Sequence, residues 1–234
     1  MNPIKEKTTE LLDLFRVKHP TSAYEQRLSH YIPLEWGQTR WTGAANSHSF
    51  ILVPECKENK VPEPEAKVVN LQGILPKAVL YQAEIEKREL IDMLNEIPLI
   101  KTNETAECPS CEGAGRFEHW GDTYDCQHCQ ETGEIRTNRT IEVRDPEYVF
   151  TLDGKMITSD NIDKLIQAIA VSEAEKIYYM VTTGNDALLL FSLDYQIIVG
   201  LALYRPLNAE LKIADIAARC ISMQDLETIE VMRA

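Results

Sequence analysis

The 234-residue sequence lacks any run of about 18 apolar residues, which is the length that a membrane-spanning helix requires. Its first stretch, MNPIKEKTTELLDLF, interrupts the apolar positions with charges, and this pattern argues against a secretory signal. Positive charge is also scarce, because 37 acidic residues against 24 basic ones give a formal net charge of −13. We therefore expect no membrane contact. The negative charge creates a field that repels nucleic acid unless the cationic residues are segregated on one surface. The simplest role of the acidic residues is to keep the protein soluble.

Motifs of the common enzyme classes are missing as well. The sequence contains no phosphate-binding glycine-rich loop, no GxGxxG after a strand, no HExxH and no GxSxG. Carboxylates are numerous, but no pattern pairs them for acid–base catalysis. We therefore predict that the protein is not an enzyme and has no catalytic residues. The alternative is an enzyme or accessory factor of an unrecognised family, with a site assembled from distant residues and a zinc-braced loop.

Cysteine is scarce outside one segment of the chain. Of the six cysteines, Cys56 and Cys220 stand far apart, and the other four form the pairs Cys108-Pro-Ser-Cys111 and Cys126-Gln-His-Cys129, with 14 residues between them. This usage indicates a metal site in a reducing compartment and argues against disulfides. We therefore expect a cytoplasmic protein.

Two CxxC pairs supply the four thiolates that a structural zinc ion takes in tetrahedral coordination. We predict one structural Zn²⁺ ion with a closed coordination sphere, which leaves no position for water or substrate. A redox dithiol fits a single CxxC pair and is the alternative. His119 and His128 lie close by in sequence, but we do not expect either to bind the metal. The predicted ligands are Cys108, Cys111, Cys126 and Cys129.

The segment around these cysteines, residues 104–134, has few residues that could form a core apart from Phe117, Trp120 and Tyr124. Metal binding would then supply its folding free energy, which is about 10 kcal/mol or more for such thiolate sites. Strand-like stretches at 99–105 and 134–143 flank the segment. The sequence therefore predicts an elaborated hairpin tip that serves as a contact surface or a rigid brace.

An internal repeat appears when the sequence is shifted by 72 residues. Residues 85–97 and 157–169 share the pattern I-x4-[LI]-x2-[ML]-[LI]-x2-I, whose spacing places the apolar side chains on one helical face. A strand-like stretch precedes each helix, and three strands joined by tight turns follow the second helix within 176–203. We predict an α+β fold built on a repeated unit of strand, helix and antiparallel strands, with both helices on one face. A chance match between two ordinary amphipathic helices is the alternative.

Prolines suggest where the chain divides. Residues 54–66, PECKENKVPEPEA, hold three prolines and few apolar side chains, which is typical of a linker. We predict an N-terminal region of one helix at 4–17, strand-like stretches at 27–36 and 39–53, and this linker. The three predicted regions are residues 1–66, an α+β domain at 67–206 with the zinc knuckle inserted at 104–134, and a C-terminal helical extension at 207–234.

The first cysteine pair belongs to the stretch CPSCEGAG at 108–115, a full CxxCxGxG motif. Together with CQHCQETG at 126–133 it resembles half of the zinc-binding region of DnaJ-type co-chaperones. In that family two such motifs build one zinc centre, so the resemblance implies one ion held by the four cysteines. The second copy has Glu131 where the pattern has its first glycine, and the chain has no J-domain His-Pro-Asp. Co-chaperone activity is therefore not implied.

The order of elements in residues 77–205 resembles one domain of the bacterial replicative sliding clamp. The helix at 157–169 and the runs KIY, LLLF and IVGLAL after it carry this resemblance. It implies a non-enzymatic scaffold that assembles into a ring, a homo-oligomer, around duplex DNA and contacts it through basic residues on helices. The candidate contacts are Lys87, Arg88 and Lys164, although neighbouring acidic residues also fit plain solvated helix faces. The sequence thus predicts a zinc-stabilised binding or scaffold module with a protein or nucleic acid partner.

Overall fold

The computed structural model describes residues 3–18, 20, 22–55, 68–76, 79–119, 122–145, 148–152, 154–182, 188–194, 196–203, 212–215 and 219–220. Its helices are α1 (Pro3–Phe15), α2 (Ala23–Leu28), α3 (Lys87–Glu96) and α4 (Ser159–Ser172). Its strands are β1 (Ile32–Trp36), β2 (Thr39–Ala45), β3 (Ser49–Pro54), β4 (Val79–Ile85), β5 (Leu99–Glu107), β6 (Arg116–His119), β7 (Asp122–Asp125), β8 (Glu134–Arg144), β9 (Tyr148–Leu152), β10 (Lys155–Thr158), β11 (Ile177–Thr182), β12 (Leu188–Leu193), β13 (Ile197–Ala202), β14 (Lys212–Asp215) and β15 (Arg219–Cys220). None of the helices in this described part of the chain is both long and apolar enough to cross a membrane.

Eight strands form one antiparallel sheet in the order β1-β2-β3-β13-β12-β11-β4-β15. The predicted three-stranded meander is confirmed, because β12 pairs with both β11 and β13 and Phe191 lies opposite Tyr179 and Val199. Strand β3 also pairs with β13, with Ile51 opposite Val199. The predicted boundary at residue 66 therefore does not separate two sheets, since strands from both sides of it lie next to each other.

Alternating side chains of this sheet are buried on both of its faces. On one face, Phe191 and Val199 join the larger hydrophobic core, to which α1, α3 and α4 contribute. On the other face, Leu190 and Ile198 pack in a second core with Leu28 of α2 and with residues from 68–75. The predicted α+β fold class is confirmed as a mostly antiparallel sheet covered on both sides.

Both copies of the predicted repeat consist of a strand and then a helix. Ile85 is the last residue of β4 before α3, and Ile157 lies in β10 before α4. Leu90 and Ile162, which occupy equivalent positions, are fully buried in the same core, and α3 packs against α4. The prediction that both helices lie on one face is confirmed. The two copies diverge after their helices, because α3 leads into β5 whereas α4 leads into the main sheet.

Three smaller sheets complete the fold. Strands β5 and β8 form a long antiparallel ribbon that runs from Leu99 opposite Arg144 to Glu107 opposite Glu134. Strands β6 and β7 form a hairpin within the segment that joins the two strands of the ribbon. Strand β9 pairs with β10 antiparallel and with β14 parallel. The ribbon confirms the predicted strands on either side of the cysteine segment.

Two details of the sequence prediction are wrong. The strand predicted at 27–36 is confirmed by β1 but begins too early, because Arg27 and Leu28 belong to α2. The first turn of α2 is capped by Ser22 Oγ, which accepts the backbone N–H of Glu25 at 3.1 Å. The helical extension predicted at 207–234 contains the strands β14 and β15, because pairing with β9 and β4 determines the backbone there. The rest of that region, and residues 56–66 of the predicted linker, lie outside the described residues.

Candidate metal centre

The four cysteines that the sequence predicts as metal ligands lie together beyond the end of the β5–β8 ribbon. Their sulfur atoms all lie within 4.8 Å of one another, and all four side chains are buried. The Sγ atom of Cys108 is 3.8 Å from that of Cys126, and the Sγ atom of Cys111 is 3.7 Å from that of Cys129. Zinc–sulfur bonds of about 2.3 Å in a regular tetrahedron place the sulfurs about 3.8 Å apart. The donor set and the spacing therefore fit one tetrahedral metal ion.

Each CxxC turn directs a backbone amide at one of its own sulfurs. The N–H of Gly115 donates to Cys111 Sγ at 3.2 Å, and the N–H of Gly133 donates to Cys129 Sγ at 3.3 Å. Amide donors stabilise the negative charge of a thiolate, and such outer contacts orient the ligands of a metal site. The two turns thus repeat the same arrangement, 18 residues apart.

Hydrogen bonds also cross from each turn to the other. The N–H of Cys108 donates to the carbonyl of Gly133, and the N–H of Cys126 donates to the carbonyl of Gly115, each at 2.8 Å. This exchange relates the two turns by an approximate twofold axis. The knuckle, defined here as residues 108–115 and 126–133, therefore folds as one unit, because each half completes the hydrogen bonds of the other.

Glycine is required where the two halves of the knuckle cross. Gly115 and Gly133 have φ values of 73° and 75°, and a Cβ atom at either position would collide with the backbone of the opposite half. Glu131, which departs from the CxxCxGxG pattern, has a φ of 70°, close to the 79° of Gly113 at the equivalent position. The second half therefore keeps the backbone of the first, although its residue is one that rarely adopts this conformation.

Burial and hydrogen bonding act in opposite directions on the thiols of the centre. Burial by itself would raise the pKa of Cys108, but hydrogen bonds from the backbone amides of Ser110 and Cys111 and from neighbouring thiols lower this pKa to about 6. Burial raises the pKa of Cys111 to about 12, with further contributions from the adjacent thiols. The hydrogen bonds thus favour the thiolate form at Cys108, whereas burial favours the thiol form at Cys111.

The two histidines of this segment lie outside the group of four sulfurs. His128 Nδ1 is 2.7 Å from Ser110 Oγ and 3.7 Å from Cys108 Sγ. Ser110 and His128 occupy equivalent positions in the two halves, so their hydrogen bond joins the two turns at the approximate twofold axis. His119 lies on the exposed strand β6. That the ligands are cysteines alone stays a prediction.

The β6–β7 hairpin, which connects the two halves of the knuckle, has two different faces. Phe117 and Tyr124 lie directly opposite each other, and their side chains are 39% and 53% exposed. The sequence suggested these rings as core residues, and that prediction is wrong for both; Trp120 lies outside the described residues. The other face of the hairpin and the α2 region border a cavity of about 450 Å³, lined by Pro20, Ser22, Ala23, Gln26, Ala114, Arg116, Glu118 and Thr123.

The three predicted nucleic acid contacts lie on two helices. Lys87 and Arg88 begin α3, and Arg88 Nε is 3.5 Å from Asp92 Oδ2 at an exposed position. Lys164 belongs to α4, where burial lowers the pKa of its ammonium group and the charge of Asp160 acts against this shift. Contact with nucleic acid at these three positions stays a prediction.

Lys164 lines a cavity of about 680 Å³ beside α4, α1 and the end of β13. Its carboxylate neighbour Asp163 accepts a hydrogen bond from Gln167 Nε2 at 2.7 Å and lies 3.5 Å from the Arg144 guanidinium. Arg144 also donates to the carbonyl of Leu94 at 3.0 Å and so links α3, β8 and α4. These polar groups hold the two helices and the ribbon together.

No protein-family model and no curated protein matches the sequence, so the resemblance of the cysteine motif to DnaJ-type regions stays a prediction. Among solved structures the chain is similar to bacterial sliding clamps. The DNA polymerase sliding clamp from Pseudomonas aeruginosa has a TM-score of 0.48 and 7% identity over 87% of this chain and 64% of the clamp. The C. crescentus beta sliding clamp has a TM-score of 0.46 and 8% identity over 86% of this chain and 64% of the clamp. The Bacillus subtilis clamp has a TM-score of 0.45 and 10% identity over 87% of this chain and 63% of the clamp. The chain thus spans less than two thirds of the length of these clamps, and a likeness of this degree carries no conclusion about DNA or assembly.

Proposed function

We propose that this chain is a non-enzymatic binding module in which one structural Zn²⁺ ion rigidifies the end of an exposed ribbon for contact with a partner. The observation that carries the proposal is the group of four buried cysteine sulfurs, all within 4.8 Å of one another. Four thiolates complete the coordination sphere of zinc, so the ion orders the chain and does not activate water.

The knuckle depends on its metal because its apolar contacts are few. In the described part of the segment, the buried cluster consists of the four cysteines, and one further hydrophobic residue, Ile135, packs against it. A thiolate zinc site supplies about 10 kcal/mol or more of folding free energy, which replaces the missing core. Zinc is therefore a folding element of this segment.

A contact surface accounts for the position of the knuckle better than an internal brace does. The ribbon that carries it has mostly exposed residues along both β5 and β8. The strands β6 and β7 of the hairpin are exposed along their whole length as well, and the hairpin borders the α2 region only across a cavity of about 450 Å³. An exposed segment that is held rigid by a metal can bind a partner with little loss of conformational entropy.

Metal analysis of the purified protein tests the proposal. We expect one zinc ion per chain in the wild type and loss of zinc in Cys108→Ser, because three thiolates and a hydroxyl do not reproduce the site. Cys56→Ser is the matched control and should retain the metal, since Cys56 is remote in sequence from both pairs.

Hydrogen exchange on the same samples reports which part of the chain depends on the ion. In Cys108→Ser we expect rapid exchange throughout 104–134 and unchanged protection in β11, β12 and β13. An unchanged zinc content in this variant, or a wild type that contains no zinc, contradicts the proposal.

A further inference from the structure

The outward side of the β6–β7 hairpin carries two exposed aromatic rings. Side chains alternate between the faces of a hairpin, so Phe117, His119, Asp122 and Tyr124 share one face, which we call the aromatic face. We propose that the aromatic face binds an arginine-containing basic segment of a protein partner. This inference rests on the proposed function, because it assigns the chemistry of the partner that the zinc-stabilised hairpin contacts.

The two rings form one patch on a rigid support. Phe117 and Tyr124 are a directly opposed pair, and the Cβ atoms of such a pair lie about 4.5 to 5.5 Å apart. The strands that carry them connect Gly115 to Cys126, which are joined by a hydrogen bond of 2.8 Å at the base of the hairpin. The metal centre therefore fixes the position of the rings, and a partner that covers them does not have to order the hairpin.

The charge around the rings is strongly negative. Residues 107–134 contain seven acidic side chains and one basic side chain, Arg116. Arg116 lies on the opposite face together with Glu118 and Asp125, where it lines the cavity beside α2, whereas Asp122 shares the aromatic face. Four thiolates around a divalent zinc ion add a further double negative charge. The field at this surface attracts cations.

Arginine can interact both with the aromatic rings and with the negative charge of this surface. Its guanidinium binds over aromatic rings and pairs with carboxylates at the same time. The chain itself contains such a contact, because the Arg16 guanidinium lies 5.3 Å from the centre of the Tyr31 ring and its Nε is 2.9 Å from Asp13. The aromatic face offers two rings and the carboxylate of Asp122 to an external cation.

Two other occupants fit the charge poorly. Nucleic acid bases also stack on aromatic rings, but the phosphates beside them would have to approach Asp122 and an acidic segment. A second copy of this chain would present another acidic hairpin and a net charge of −13. A basic protein segment can contact the aromatic rings and is also attracted by the negative charge.

Fluorescence anisotropy with the whole 234-residue, zinc-loaded chain tests the inference. The probe is a fluorescein-labelled peptide in which five arginines alternate with serines. We expect saturable binding that weakens as the salt concentration rises. Phe117→Ala and Tyr124→Ala should each weaken binding by about two- to fivefold, which corresponds to the loss of one exposed cation–π contact. Tyr24→Ala is the matched control, because the side chain of Tyr24 has the same exposed fraction as that of Tyr124, 53%. This variant should bind like the wild type, since Tyr24 lies on α2 and not on the aromatic face.

Several outcomes would overturn the inference. These are equally tight binding of a peptide with glutamate in place of arginine, equally tight binding of single-stranded oligo-dT, and equal loss of affinity in Tyr24→Ala. A homodimer that dissociates in Phe117→Ala would assign the aromatic face to a second copy instead. Zinc is measured in every sample, so a zinc-loaded protein that binds no peptide contradicts this inference alone, whereas a protein without zinc contradicts the proposed function as well.

Discussion

The glycines at the crossing of the knuckle determine whether its two halves can close on each other. Gly133 and Gly154 have nearly equal positive φ values, 75° and 71°. A Cβ atom would meet the backbone of Gly113 at the first position and nothing within 4 Å at the second. Alanine substitutions at these two glycines can therefore be compared. Both carry the free-energy cost of a non-glycine residue in the left-handed conformation, about 1 kcal/mol, but only the substitution at Gly133 adds a collision inside the metal centre.

We expect Gly133→Ala to lower zinc affinity at least tenfold in competition with a chromophoric chelator. The matched variant Gly154→Ala should leave zinc affinity unchanged and lower the free energy of unfolding by about 1 kcal/mol, measured by urea denaturation. Equal zinc affinities in the two variants would mean that the halves of the knuckle can separate without loss of the ion, contrary to the crossed hydrogen bonds.

The β5–β8 ribbon consists of two parts that should respond differently to loss of the metal. Its register shifts between Asn103 and Thr105, so an irregularity separates the base of the ribbon from the end that carries the knuckle. The base also has its own anchor, because Arg144 donates to the carbonyl of Leu94 at 3.0 Å. The base therefore has contacts that do not depend on zinc.

We expect a chelator to remove hydrogen-exchange protection from the knuckle, from β6 and β7, and from the ribbon as far as the irregularity at 103–105. Protection at Lys101 and Glu142, which are paired in the base, should persist. The measurement is hydrogen exchange with detection by mass spectrometry, and the untreated protein is the control. Loss of protection along the whole ribbon would show that the metal also stabilises its base.

Elements with local signals could be predicted from the sequence. The cysteine spacing indicated the centre, and α4 begins after Thr158, a residue type that favours the N-cap position, whose side chain accepts the N–H of Asn161 at 3.4 Å. Features that depend on distant partners could not be predicted. The crossed bonds between Cys108 and Gly133 and the exposure of Phe117 depend on how the two halves meet, and a pattern of residue types does not encode this. The short helix α2 was not predicted, because six residues are too few to show the periodicity of a helix.

The whole molecule is joined across the boundary that the sequence predicts at residue 66. Strand β3 lies beside β13, and Ile51 faces Val199 in the larger core. Trp36 Nε1 donates to the carbonyl of Pro76 at 3.0 Å, which links β1 to the chain beyond the boundary. Contacts of this kind couple the two regions energetically, because exposing one of them would also uncover the core of the other.

We therefore expect one cooperative unfolding transition in urea. Far-UV circular dichroism reports on the whole chain, and tryptophan fluorescence in a Trp120→Phe background reports on Trp36 and Trp41 alone, since the chain has three tryptophans. The two midpoints should coincide. Ile51→Ala should shift both midpoints to the same lower urea concentration. It should lower the free energy of unfolding by about 2 to 5 kcal/mol, because it leaves a cavity between β3 and the helices that cover it. Two transitions in the dichroism, of which Ile51→Ala shifts only the one that coincides with the fluorescence change, would instead show that residues 1–66 fold as an independent domain despite the shared sheet.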